Sequence, residues 1–125
     1  MNEHVTLELL DEIGAAFARH DISAMVSYFH EAGEFVNAVG PDHFGTRYVG
    51  HARIRSYFEQ LFAATESVQW EKTDVRIVGD KAYTEWRRKA TLKTGETQDW
   101  QGTDIFTFRH MKILKKDTYI KHVSP

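Results

Sequence analysis

The hydrophobic repeat of this chain changes period between Phe62 and Val68, and that change restricts the folds open to it. Before it, Leu9, Leu10, Ile13, Ala16 and Phe17 recur at helical spacing, with Glu8, Asp11, Glu12 and Arg19 on the other side. His20-Asp21 breaks that helix, and Asp21 is placed to cap a second one by accepting from free backbone N–H groups. Ile22, Met25, Val26 and Phe29 form the buried stripe of the second helix, and Gly33 its stop. A short strand is predicted over 34–39, then a loop from Gly40 to Gly50, then a third helix that buries Ile54, Phe58, Leu61 and Phe62. Beyond it apolar and polar residues alternate, predicting strands over 68–78, 81–93, 97–109 and 112–121. Gly79-Asp80, Thr94-Gly95 and His110-Met111 are the turns between them. Three helices followed by an antiparallel meander is an α+β pattern. No linker, repeat or low-complexity stretch interrupts it, so residues 1–125 are expected to form a single domain.

Bulk properties remove several function classes. With 16 basic and 18 acidic residues the net charge is -2, too balanced to point to a nucleic-acid or membrane partner. The absence of cysteine excludes disulfides, thiolate nucleophiles and thiolate metal sites. His43, His51, His110 and His122 have no ligand-type partner at helical spacing, so no metal is expected. Met1 to Val5 show no basic segment followed by an apolar run, and no stretch is long enough to span a bilayer. A cytoplasmic location follows as the expectation. Aromatic residues make up 13% of the chain, enough to line a large core or a cavity.

One residue of the third long strand is out of character. Gly102, Asp104, Phe106 and Phe108 share one face, and Thr103, Ile105 and Thr107 the other. An acid beside two Phe rings must be paired, be protonated or look into a polar site, because burying a lone charge costs several kcal/mol or more. Asp104 is therefore the first candidate for function. Its partner depends on register. A plain two-residue turn at His110-Met111 sets Asp104 opposite Asp117, whereas one bulged residue sets it opposite Thr118 and brings Phe106 opposite Lys116. On the other side, a two-residue Thr94-Gly95 turn places Glu85 opposite Asp104, and a longer loop places Trp86 or Thr84 there.

The order of these pieces resembles the nuclear transport factor 2-like superfamily, and within it the SnoaL-like polyketide cyclase and ketosteroid isomerase branch. His20-Asp21-Ile22 is similar to the "GD-hydrophobic" start of the second helix, and Phe35-Val36-Asn37-Ala38-Val39-Gly40 to an "FVNVxG" strand. Gly50-His51-Ala52-Arg53-Ile54 resembles the "G-x-x-x-I" start of the third helix, and Gly102 to Phe108 with Lys112-Ile113 and Tyr119 the "G-x-D-x-F-x-F…GKI…Y" signature. The resemblance implies a cone: three amino-terminal helices packed on a strongly curved antiparallel sheet, with a deep apolar pocket and homodimers formed through the sheet's convex face. Ketosteroid isomerases carry an Asp base, a Tyr and a second acid in that pocket. Here the second acid falls on Asp104, the base on Asn37 and the Tyr near Ile13, so steroid-type isomerisation by that mechanism is not expected.

What remains is a cofactor-free site. Asp104 and Asn37 are the candidate catalytic residues, Asp104 as acid, base or oxygen stabiliser and Asn37 as an orienting amide. Phe17, Tyr57, Trp86, Trp100, Phe106, Lys116 and Tyr119 are the expected substrate-binding set. The substrate would be a small apolar carbonyl or hydroxyl compound, turned over by a cyclase, isomerase or hydratase reaction. The competing reading is a homodimeric module that holds a hydrophobic ligand without turnover, with Asp104 neutralised by a neighbouring cation.

Overall fold

Thr6 opens the first helix by accepting the Leu9 N–H on its hydroxyl at 3.1 Å, and Asp21 opens the second by accepting that of Ala24 at 3.1 Å. These caps fix α1 (Leu7–Ala18) and α2 (Ile22–Ser27) in the computed structural model, which describes residues 4–122. Residues 1–3, part of the segment read above for a leader, and residues 123–125 lie outside the described residues. Between α1 and α2, His20 takes the left-handed φ of 56°. The Asp21 N–H then reaches back to the Ala16 carbonyl at 3.0 Å, closing the helix end in the manner that usually calls for glycine.

The remaining elements are β1 (Phe29–Val36), β2 (Arg47–Val49), α3 (His51–Ala64), β3 (Thr65–Val78), β4 (Lys81–Leu92), β5 (Thr97–Arg109) and β6 (Lys112–Ile120). They form one open sheet in the order β2-β1-β6-β5-β4-β3. The meander of β3 to β6 is antiparallel as expected, but β1 joins β6 in parallel, so the sheet is mixed. Register shifts at Phe29/Glu34, Lys72/Asp74 and Thr107/Phe108 add the bends that curl it into a cone around α1 and α3. Leu10, Ile13, Phe17, Phe58, Phe35 and Phe106 belong to the core between helices and sheet.

Several boundaries differ from the sequence reading, and β3 begins at Thr65 rather than at Val68. The second helix stops at Ser27, and Phe29 to Gly33 belong to β1 instead. Gly33 is not a helix stop: a Cβ there would lie 2.6 Å from the Ile113 carbonyl oxygen, so glycine is what lets β1 approach β6. Asn37 consequently sits one residue past the end of β1, and the predicted 40–50 loop contains β2. His51 begins α3, where Nε2 meets the Phe29 carbonyl at 2.8 Å.

Candidate active site

The inner face of the sheet, α1 and α3 enclose a cavity of about 610 Å³, within the range of small-molecule sites. Two local devices decide which side chains of β4 to β6 face it. The His110-Met111 turn is tight, with Arg109 opposite Lys112 and φ of 51° and 62° at the two turn residues. Leu114 then bulges: Phe108 pairs with Ile113 but Thr107 with Lys115, so Phe106 meets Lys116 and Asp104 meets Thr118. The register is thus the bulged alternative, with the extra residue on β6 rather than in the turn. At the other hairpin, Leu92 donates to the Glu96 carbonyl at 2.8 Å across a loop in which Gly95 has φ 93°. That longer loop puts Thr84 opposite Asp104 and leaves Glu85, Arg87 and Lys89 on the exposed face.

Asp104 is 6% exposed and its two oxygens meet three donors. Lys116 Nζ at 3.1 Å and Thr118 Oγ1 at 2.5 Å donate to Oδ1, and Trp86 Nε1 at 3.0 Å donates to Oδ2. Lys116 Nζ also donates to Thr118 Oγ1 at 3.1 Å and lies 4.8 Å from the Phe35 ring centroid and 5.4 Å from that of Phe17. Lys116 Nζ and Trp86 Nε1 can only donate, so Asp104 is the acceptor in both of those contacts. Gly102 makes this arrangement possible. It pairs with Trp86, and a Cβ there would come within 2.5 Å of the indole that crosses it.

On α3, Tyr57 points the same way. Its oxygen accepts from Asn37 Nδ2 at 3.3 Å, and among the described residues nothing accepts its proton. Burial, then the neighbouring Tyr48 phenol, raises its pKa above the ordinary phenol value, against smaller opposing effects of Arg88 and the Asn37 amide. Asn37 Oδ1 meanwhile takes the Ala38 N–H at 2.8 Å. The amide therefore closes the corner after β1 and also donates to the Tyr57 oxygen at the cavity.

Of the expected residues, Asp104, Asn37, Phe17, Tyr57, Trp86, Trp100, Phe106 and Lys116 all line the cavity, as does Ile13. Tyr119 does not and is a correction. It is 54% exposed, because its neighbours Thr118 and Ile120 point inward and strand alternation turns it out, towards Asp117. Arg88 and Gln98 line the cavity without having been singled out as site residues. The signal was present for Arg88: two residues from Trp86 on one strand, it must share that residue's face. Its guanidinium donates through Nη1 to Gln98 Oε1 at 2.7 Å, with Cζ 4.9 Å from the Trp100 ring centroid. Among the described residues no group of three or more His, Asp or Glu is arranged to hold a metal ion. No helix among them is long and apolar enough to cross a membrane.

Comparison with known proteins follows this geometry. The sequence profile of the SnoaL-like domain matches residues 11–115. No curated protein sequence matches the chain. Among solved structures, TerC co-crystallised with polyporic acid is 20% identical over 92% of this chain and 90% of that one, with a TM-score of 0.80. A protein with a ketosteroid isomerase-like fold from Catenulispora acidiphila, in complex with trimethylamine, is 20% identical over 92% and 86%, with a TM-score of 0.79. The epoxide hydrolase/cyclase-like enzyme SalBIII, of pyran ring formation in salinomycin, is 21% identical over 91% and 88%, with a TM-score of 0.78. At these identities the likeness establishes a shared fold.

Proposed function

The chain belongs to the SnoaL-like domain family, and we propose that its cavity is the active site of an enzyme moving a proton on a small, largely apolar carbonyl or hydroxyl compound. The reaction class is that of a cyclase, isomerase or hydratase, carried out by side chains alone. The observation that carries this reading is the Asp104 carboxylate, buried in the wall of a cavity whose other surfaces are mostly aromatic and aliphatic. Asp104 is the proton acceptor. Tyr57, with its O–H uncommitted, donates to the substrate oxygen on which negative charge develops, and Asn37 holds that phenol in place. Lys116 balances the charge of Asp104 before the proton moves. Support also comes from relatives of the same fold, one bearing polyporic acid and one described as cyclase-like.

A second reading, ligand binding without turnover, is favoured by one detail: protein donors already occupy both oxygens of Asp104. Exchange of the proton next to a carbonyl separates the two. In D₂O, deuterium uptake by a panel of small cyclic ketones such as 2-tetralone, followed by NMR, should be accelerated by the protein. Asp104→Asn should lower that rate by about 10²- to 10⁴-fold while ligand affinity is kept. Exchange in the variant as fast as in the parent would remove Asp104 from the chemistry, and panel compounds that bind without accelerated exchange would establish the second reading.

A further inference from the structure

Three cations line the cavity, and two of them have an acid beside them, Lys72 with Asp11 and Lys116 with Asp104. Lys116 is paired with Asp104 at 3.1 Å. Arg88 is 6% exposed, and no carboxylate lies within ion-pair distance of it among the described residues. The nearest acid in its hydrogen-bond chain is Glu96, which reaches only the far side of the Gln98 amide, accepting from Nε2 at 3.3 Å. A guanidinium carries five N–H donors in a fixed fork, and Gln98 takes one of them. No sealed-off side-chain nitrogen among the described residues lacks a partner, so the remaining donors are not sealed off, and Arg88 lines the cavity. Burial pushes the Arg88 pKa down, and the opposing pull comes from the Tyr57 phenol rather than from an acid.

A buried cation without a counter-ion is costly, and the fold supplies the means to avoid it, since β4 already carries an exposed arginine at the next position. Arg87 faces outward and is held by both oxygens of Asp99, at 2.7 and 2.6 Å. We propose that Arg88 is a recognition residue for an anionic group of the substrate, and that the substrate is a small apolar acid whose carboxylate docks on the Arg88 fork. The assignment rests on the reading of the cavity as a small-molecule site. Trp100 beneath the guanidinium leaves its edge, where the N–H groups point, free for a two-point contact. Arg88 stands four residues from Thr84, the partner of Asp104, so the two subsites are about 13 Å apart measured along the strand. The substrate is therefore elongated or polycyclic, with its acid at one end and its reacting carbon at the other.

Binding of 2-naphthoate and of uncharged 2-naphthamide, measured by isothermal titration calorimetry on the parent protein, tests this without any turnover. The acid should bind at least about tenfold more tightly than the amide. Arg88→Gln, which keeps a hydrogen-bonding partner for Gln98, should erase the preference and leave amide binding within about twofold. Arg88→Lys should restore part of it by returning the charge without the fork. Equal binding of the two probes by the parent protein, or a preference undiminished in Arg88→Gln, would overturn the assignment and leave the proton-transfer reading standing. Binding of neither probe would overturn both, whereas loss of exchange activity in Asp104→Asn bears only on the chemistry.

Discussion

The two ends of the cavity treat charge in opposite ways. At the Asp104 end every charged group is answered from within the chain, by Lys116, Thr118 and Trp86. At the Arg88 end the chain supplies one amide oxygen, one aromatic face and no acid. Both ends are buried, so solvent does not account for the difference. A network completed by the protein is already organised before a ligand arrives, which is what a reacting group requires. An incomplete one is a binding determinant, because its missing member has to come from outside. The lesson is to count partners as well as charges when a cavity is read.

The sharpest way to break this contrast is to remove a charge from the completed end. Lys116→Met leaves Asp104 buried without its cation and should destabilise the fold by about 3–5 kcal/mol. Urea denaturation should also show Lys116→Met with Asp104→Asn recovering much of that loss, as a coupled pair requires. The same measurement on Arg88→Gln should stay within about 1 kcal/mol of the parent, and a loss as large as that of Lys116→Met would dissolve the distinction. An intermediate effect comes from Gly102→Ala, which carries no charge. Its methyl displaces the Trp86 indole and with it one donor to Asp104, for an expected cost of about 1–3 kcal/mol. A crystal structure of that variant with Trp86 unmoved would contradict the account.

The smallest effect belongs to Tyr57 and appears only in alkali. The folded chain holds the phenolic proton more tightly than the unfolded chain does. That contribution is whole below the ordinary phenol value of 10.0 and is lost as pH rises through the raised one. Tyr57→Phe should therefore flatten the decline in melting temperature above about pH 10, the ordinary phenol range. An equally steep decline in the variant would show that the phenol is not the group responsible.

Much of this was legible in the sequence where interactions are local. The stripes of α1 and α3 and the Asp21 cap follow from spacing alone, as does the inward face of Asp104, Phe106 and Phe108. The bulged register was one of two alternatives, but the bulge itself falls at Leu114, where no turn residue announces it. Long-range contacts are not written in local patterns. Gly33 looks like a helix stop until the Ile113 carbonyl is seen against it. The parallel β1–β6 pairing joins segments that nothing in their own patterns connects. Of the two adjacent arginines, Arg88 is the one that alternation places on the face of Trp86, so its inward position follows only once Trp86 is taken to face in. Tyr119 belongs to the substrate-binding set expected from the sequence, although alternation from Lys116 turns it out.

That parallel pairing has a consequence for how the molecule is made. β6 lies between β1 and β5, so the earliest strand of the chain has its long neighbour in the last. During synthesis the helices and β1 emerge well before β6 exists, and their apolar faces wait for it. Lys116 and Thr118 arrive on that same final strand. The counter-charge of Asp104 and the closing seam of the sheet are therefore delivered together, and a chain truncated before β6 would lack both.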